Sequence, residues 1–162
     1  MSEIIPQSPD GGKDYPVLWL NIPLELRAYN SWINWQHGER DGKPTKLPLR
    51  SIDGRLASVT NPLDWQSFEA AMNAAVTNNA GIGFVFSRAD PFCGIDLDAT
   101  DDPATSRWQE SIEQSLNSYS ERSPSGRGLH VIVKAKLPGD GRRRGKIECY
   151  DTARFFTVTG NV

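Results

Sequence analysis

The segment that most constrains the fold is Gly94-Ile95-Asp96-Leu97-Asp98, in which apolar residues alternate with carboxylates. A period of two is typical of a β-strand, so Ile95 and Leu97 should enter a core while Asp96 and Asp98 share the opposite face. Two carboxylates this close repel each other unless a cation neutralises them. The segment therefore predicts a strand that binds Mg²⁺ or Mn²⁺, or else an exposed strand end whose acids are solvated.

Helix and strand patterns are mixed along the rest of the chain. Asp41-Gly42 after the alternating segment Trp32–Trp35 predicts a hairpin. Apolar spacings of three and four predict helices over 62–78 and from about 103 to near Tyr119, and alternation predicts strands over 83–86, 92–98, 129–135, 146–150 and 155–159. We expect strands 83–86 and 92–98 to pair with each other. These elements indicate the α+β fold class.

The chain has the length of one compact domain, because 162 residues bury a single core. Residues 1–14 are rich in Pro, Gly, Ser and charge and predict a disordered tail, which leaves 15–162 as the domain. Neither a secretory signal nor an apolar run near membrane length is visible, so we expect a cytoplasmic protein. Cys93 and Cys149 lack zinc-ligand spacing and are expected to be buried, reduced thiols.

Positive charge is concentrated in one part of a weakly acidic chain. Between Glu121 and Lys146, eight cations face two acids, a net charge of +6, whereas the whole chain carries −2 and the remainder therefore −8. This balance argues against a protein that coats nucleic acid through bulk charge. It favours an enzyme that binds phosphates at one place.

Two common ligand-binding loops are excluded by spacing. Counted from Asp96, the sixth position of an EF-hand would be Asp101 instead of Gly, and the twelfth would be Arg107 instead of Glu. A Walker A loop is also missing, because no Gly precedes Lys-Ser or Lys-Thr at the required spacing.

A glycine-containing turn leads directly into a strand at Ser123-Pro124-Ser125-Gly126-Arg127-Gly128-Leu129-His130. Its glycines permit backbone N–H groups to converge on an anion, with Ser125, Arg127 and His130 as side-chain donors. Along the strand, His130 and Lys134 share a face. The segment predicts a triphosphate site, or alternatively an ordinary hairpin turn that ends in a solvated histidine.

A third acid lies in Lys146-Ile147-Glu148-Cys149-Tyr150-Asp151. Alternation places Glu148 and Tyr150 opposite Ile147 and Cys149. Glu148 could join Asp96 and Asp98 in a site for two cations, or it is a surface glutamate.

The order of these elements, followed by Arg154-Phe155-Phe156-Thr157-x-Thr159-Gly160, resembles the archaeo-eukaryotic primase superfamily. The similar variant is the primase-polymerase domain of phage and plasmid replication proteins. The resemblance covers about 32–160. It implies a palm of antiparallel strands backed by helices, similar to an RNA-recognition-motif sheet, with a small N-terminal α/β subdomain.

The resemblance also implies the chemistry. In that family the strand acids bind Mg²⁺ or Mn²⁺ and catalyse nucleotidyl transfer. The corresponding residues of this chain are Asp96, Asp98 and Glu148. The family's Ser and His contact the phosphates of the incoming dNTP or NTP, here Ser125 and His130, with Arg127 beside them. The implied partners are a single-stranded DNA template or primer-template and a helicase domain or protein. Relatives continue beyond the segment that corresponds to Thr159-Gly160, so we expect this chain to be truncated at its C-terminus.

Several basic residues are candidates for nucleic-acid contact. Lys43 and Lys46 belong to the same predicted hairpin as the Trp32/Trp35 pair. Aromatic faces stack on bases and Lys meets backbone phosphate, so these residues are candidates for template contact. Core tryptophans beside a solvated hairpin are the alternative. The basic loop that we predict over Gly139–Gly145 carries Arg142, Arg143 and Arg144, which either bind a nucleic-acid backbone or have no partner.

Two other functions fit the same acids. A metal-dependent nuclease could use all three, but its usual lysine two residues after the acid is replaced here by Tyr150. A non-catalytic single-strand-binding replication module is the second alternative.

Overall fold

The computed structural model describes residues 11–162, which contain eleven strands and three α-helices. The strands are β1 (Gly11–Gly12), β2 (Tyr15–Pro16), β3 (Trp32–Arg40), β4 (Lys43–Leu49), β5 (Gly81–Phe86), β6 (Phe92–Leu97), β7 (Tyr119–Arg122), β8 (Leu129–Lys134), β9 (Arg142–Arg144), β10 (Ile147–Tyr150) and β11 (Arg154–Val158). The helices are α1 (Leu24–Arg27), α2 (Phe68–Asn78) and α3 (Pro103–Leu116). The predicted α+β class is confirmed.

Two antiparallel sheets form the body of the fold. The five-stranded sheet has the order β7-β8-β6-β10-β9, and the four-stranded sheet has the order β11-β5-β3-β4. The N-terminal half thus builds most of the four-stranded sheet together with α1 and α2, and β11 from the end of the chain completes it. The five-stranded sheet corresponds to the expected palm.

The predicted pairing of β5 with β6 is wrong. β5 lies between β3 and β11, and β6 lies between β8 and β10, so both edges of each strand are occupied by other partners. The intervening turn is closed by Asp90, whose carboxylate accepts from the backbone N–H of Ser87 and of Phe92. This turn moves the chain from one sheet to the other.

An aromatic core joins the inner faces of the two sheets to α2. Trp32, Phe84, Phe86, Phe92 and Phe156 are buried there. Neighbouring rings meet edge to face, with Phe86 and Phe156 centroids 5.0 Å apart.

Helix α2 begins six residues later than predicted. Asn61 caps only a short 3₁₀ turn over Pro62–Asp64, and Trp65 then adopts extended backbone. Ser67 provides the true N-cap, because its Oγ accepts from Ala70 N at 3.2 Å.

Helix α3 lies against the outer face of the five-stranded sheet. Ile112 packs against a cluster formed by Ile95, Leu97, Val131 and Ile147. The helix ends at Leu116 with Asn117 in the left-handed conformation, so Tyr119, where we expected the helix to end, begins β7 instead. Within the described residues, no helix is both long and apolar enough to cross a membrane.

The N-terminal hairpin shortens the predicted tail. Gly11–Gly12 pairs with Tyr15–Pro16, so residues 11–14 belong to a folded hairpin. Residues 1–10 of that predicted tail lie outside the described residues.

Both cysteines are free thiols, as predicted, although Cys149 is only half-buried. Burial raises the pKa of Cys93 to about 11, and that thiol is 3% exposed. Because the thiolate is the reactive form, we expect Cys93 to resist iodoacetamide at about pH 8 in the native protein and to react fully after unfolding. Mass spectrometry of the alkylated protein would check this, and equal native labelling of both cysteines would contradict it.

Candidate active site

A row of charged side chains crosses the five-stranded sheet. The strand registers place Glu121 opposite His130, His130 opposite Asp96, Asp96 opposite Glu148, and Glu148 opposite Arg143. Residues directly opposite each other in antiparallel strands point to the same face. The row lies on the inner face, where the His130 ring stacks on Phe156 of the four-stranded sheet, with centroids 4.7 Å apart.

Asp96 is the central acid of the row. Burial is the main cause that raises the pKa of its carboxyl, and Asp98 and Glu148 raise the pKa further, while His130 and Lys46 oppose the shift. His130 Nε2 lies 3.8 Å from Asp96 Oδ1. The net upward direction is therefore set first by the burial of the carboxyl.

Asp98 follows the last residue of β6 and is half-buried. Its backbone N–H donates to Lys146 O at 2.8 Å, which ties the end of β6 to the residue before β10. Its carboxylate is close enough to act on the pKa of both Asp96 and Lys46.

Glu148 is held by two neighbours. Arg143 Nη1 lies 3.0 Å from its Oε1, and the Tyr150 hydroxyl donates to its Oε2. Burial first, and the hydrogen bond to Glu148 second, raise the pKa of Tyr150.

Across residues 11–162, no three His, Cys, Asp or Glu side chains are gathered as a metal cluster. The donor chemistry nevertheless fits Mg²⁺ or Mn²⁺, since carboxylate oxygens are hard ligands and Asp98 and Glu148 lie close enough to act on the pKa of Asp96.

His130 is buried, with 5% of its surface exposed. Its Nδ1 lies 3.1 Å from Thr157 O, an acceptor that favours a proton on Nδ1 and directs Nε2 towards Asp96. Stacking on Phe156 fixes the plane of the ring.

Glu121 is a site residue that sequence reasoning missed, having counted it only as an acid within the basic stretch. Its carboxylate is 1% exposed and accepts from Thr159 N, Gly160 N and the Tyr119 hydroxyl. Burial, followed by the charge of Glu121, raises the pKa of Tyr119. Glu121 Oε1 also lies 3.7 Å from His130 Nδ1. No short motif marks this role, because its partners come from the far end of the chain.

Lys46 belongs to the acidic pocket and was predicted only as a nucleic-acid contact. It lines a cavity of about 260 Å³ with Asp96, His130, Glu148 and Arg154. Its ammonium lies over the Trp35 ring, 5.6 Å from the centroid, and burial lowers its pKa against the opposing effect of Asp96 and Asp98. Lys43 is exposed at the start of β4. Arg154 also lines the cavity, with its guanidinium 4.8 Å from the Tyr150 ring centroid.

The glycine turn differs from an open anion cradle. Gly126 has a φ of +74°, as expected for the turn, but its N–H donates to Ser123 O, and the N–H of Gly128 donates to Ser123 Oγ. Both amides are therefore used within the turn. The side chains of Ser125 and Arg127 are exposed, and Arg127 Nη2 lies 3.4 Å from Asp101 Oδ1.

Lys134 lies away from the pocket. It shares a face with His130 but is four residues further along β8, roughly 13 Å at the rise of a β-strand. Its Nζ pairs with Glu25 Oε2 at 2.8 Å. The structure therefore does not bring Lys134 to the predicted nucleotide site.

The predicted basic loop forms an edge strand, β9, because Arg142–Arg144 pairs with β10. Arg143 points to the acids, whereas Arg144 lies over the Trp108 ring, 5.5 Å from its centroid. Trp32 and Trp35 are 0% and 2% exposed, so both are core residues and neither presents a face for base stacking.

No family model matches the chain. The chain is 38% identical over 147 residues to a curated DNA primase-polymerase of Nitratiruptor phage NrS-1. The match covers 85% of this chain and 20% of that protein, so the chain spans about a fifth of its relative's length. This similarity over most of the described chain confirms the resemblance of its motifs to a primase-polymerase domain.

Proposed function

We propose that residues 15–162 form a catalytic domain for template-directed nucleotidyl transfer, in which a dNTP or NTP is joined to a nucleic-acid strand. The observation that carries the proposal is the single pocket in which Asp96 and Glu148 meet Lys46, His130 and Arg154. Acids and cations gathered together suit phosphoryl transfer, because both the metal and the triphosphate need counter-charges. The similarity to a phage DNA primase-polymerase supports the same reaction.

Asp96, Asp98 and Glu148 would hold Mg²⁺ or Mn²⁺. When bound, such ions activate the attacking hydroxyl and neutralise charge on the phosphates. The raised pKa of Asp96 supports this assignment, since burial and the neighbouring acids disfavour its charged form and a bound cation would stabilise it. Arg143 now pairs with Glu148, so it must give up that contact when Glu148 becomes a ligand.

The cations of the pocket would bind the triphosphate. His130 donates through Nε2 when protonated there, because Nδ1 is turned to Thr157 O. Lys46 and Arg154 present charge from the four-stranded sheet. Ser125 and Arg127, which are exposed on the turn and do not line this cavity, are proposed as further donors to the phosphates. Lys43, Arg142, Arg143 and Arg144 are proposed contacts to the nucleic-acid backbone.

Primer extension tests this proposal. The wild-type protein, given a labelled primer-template, deoxynucleotides and Mn²⁺ or Mg²⁺, should lengthen the primer, and an Asp96→Ala/Asp98→Ala variant should not. Glu69→Ala is the matched control, since Glu69 is an exposed carboxylate on α2. Shortening of the primer by the wild type would identify a nuclease. Absence of both extension and metal-dependent nucleotide binding would identify a non-catalytic binding module.

A further inference from the structure

Trp108 is an exposed aromatic residue next to a cationic strand. It is 44% exposed, on a helix that buries none of its residues fully. The guanidinium of Arg144 covers its ring at 5.5 Å from the centroid. A flat indole beneath a guanidinium presents the two surfaces on which nucleobases stack.

Strand β9 divides its arginines between the two faces of the sheet. Arg143 is opposite Glu148 and reaches the acids, whereas Arg142 and Arg144 are opposite Cys149 and Ile147 and lie on the outer face with α3. All three are exposed, and β9 is the last strand of its sheet, so its outer edge is open.

The helix that carries Trp108 is hydrogen-bonded to the backbone at the end of the acid-bearing strand β6. Gln109, the residue after Trp108, donates from Nε2 to Asp98 O at 2.9 Å. Arg107 and Lys146 are further exposed cations at this end, while Asp140, Glu110 and Glu113 are the nearby acids in sequence. Asp101 and Asp102 add two exposed acids at the start of α3, so the charge here is mixed, and Arg144 is the cation that lies over Trp108.

We propose that the outer patch, defined as Trp108, Arg142 and Arg144, binds a single strand of nucleic acid: Trp108 stacks on a base and the two arginines contact phosphates. The patch lies outside the pocket assigned to catalysis. Positive charge favours a polyphosphate partner, and stacking on an aromatic face accepts any base, as required of a template-binding surface. The choice of partner rests on the proposed function.

Binding of a fluorescent oligodeoxythymidine of about 15 nucleotides, measured by anisotropy in EDTA, tests the inference. Trp108→Ala should weaken binding about tenfold or more with an unchanged salt dependence, and Trp108→Phe should restore most of the affinity. Arg144→Ala should lower the slope of log K against log salt by about one. Leu116→Ala, two turns further along α3, is the matched control and should bind as the wild type does.

An abasic strand of the same length identifies the stacking contribution. The wild type should bind it about as weakly as Trp108→Ala binds the normal strand, and Trp108→Ala should not distinguish the two strands. Unchanged affinity of a folded Trp108→Ala variant, or equal losses on both strands, would overturn the inference. Binding in EDTA requires no extension, so a failed extension assay and a failed outer patch remain distinguishable.

Discussion

Replacing Asp96 with asparagine should abolish nucleotidyl transfer and, without metal, make the protein more stable. The amide lacks the charge that binds a divalent cation, so we expect the extension rate to fall by at least about 10²–10³-fold. Stability should rise because the fold disfavours the ionised carboxyl through burial and through Asp98 and Glu148. Asparagine has the same shape without that charge.

The sign of the stability change depends on pH. Because the pKa of Asp96 is raised in the folded state, the wild type is not destabilised in acid, where this carboxyl is protonated, and becomes destabilised as pH rises through its titration. The gain in Tm from Asp96→Asn should therefore be near zero at about pH 4 and grow towards about pH 8. Calorimetry in EDTA would measure it. A Tm below that of the wild type at neutral pH would contradict the electrostatic account.

Replacing Glu121 with alanine should cause the largest loss of stability in the site region. The change removes the acceptor of Thr159 N, Gly160 N and the Tyr119 hydroxyl in a place that is 1% exposed. Unsatisfied buried donors are costly, so we expect a loss of roughly 3–5 kcal/mol in the free energy of unfolding. Urea unfolding at neutral pH measures it.

Glu121→Gln separates hydrogen bonding from charge. Its amide oxygen can still accept from the backbone of residues 159–160, so we expect a smaller loss, about 1–2 kcal/mol. Equal losses in the two variants would show that the charge next to His130, and not the acceptor role, is what stabilises this region.

The local patterns of the site were readable in the sequence. Alternation correctly placed Asp96, His130 and Glu148 on strands, and each faces away from its apolar neighbours because side chains alternate along a strand. The Asp41-Gly42 turn also formed as predicted, with positive φ at both residues. These features depend on neighbouring residues alone.

Other features needed the assembled fold. The pairing of β5 and β6 was wrong because both strands satisfy their edges with partners from distant parts of the chain. Lys46 was assigned to nucleic acid because no acid close to it in sequence reveals its pocket. Glu121 was passed over because the backbone N–H groups that donate to it lie 38 and 39 residues away.

The sequence by itself determined the α+β class and the strands that carry the acids and the histidine, since these follow from apolar residues that recur every two positions in strands and every three to four in helices. It also determined the family that the motifs resemble, through their order along the chain. Only the tertiary structure decided which strands are neighbours, and hence that Glu121, His130, Asp96, Glu148 and Arg143 form one row. The physical reason is that register and sheet order are set by packing between distant segments, which no local pattern specifies.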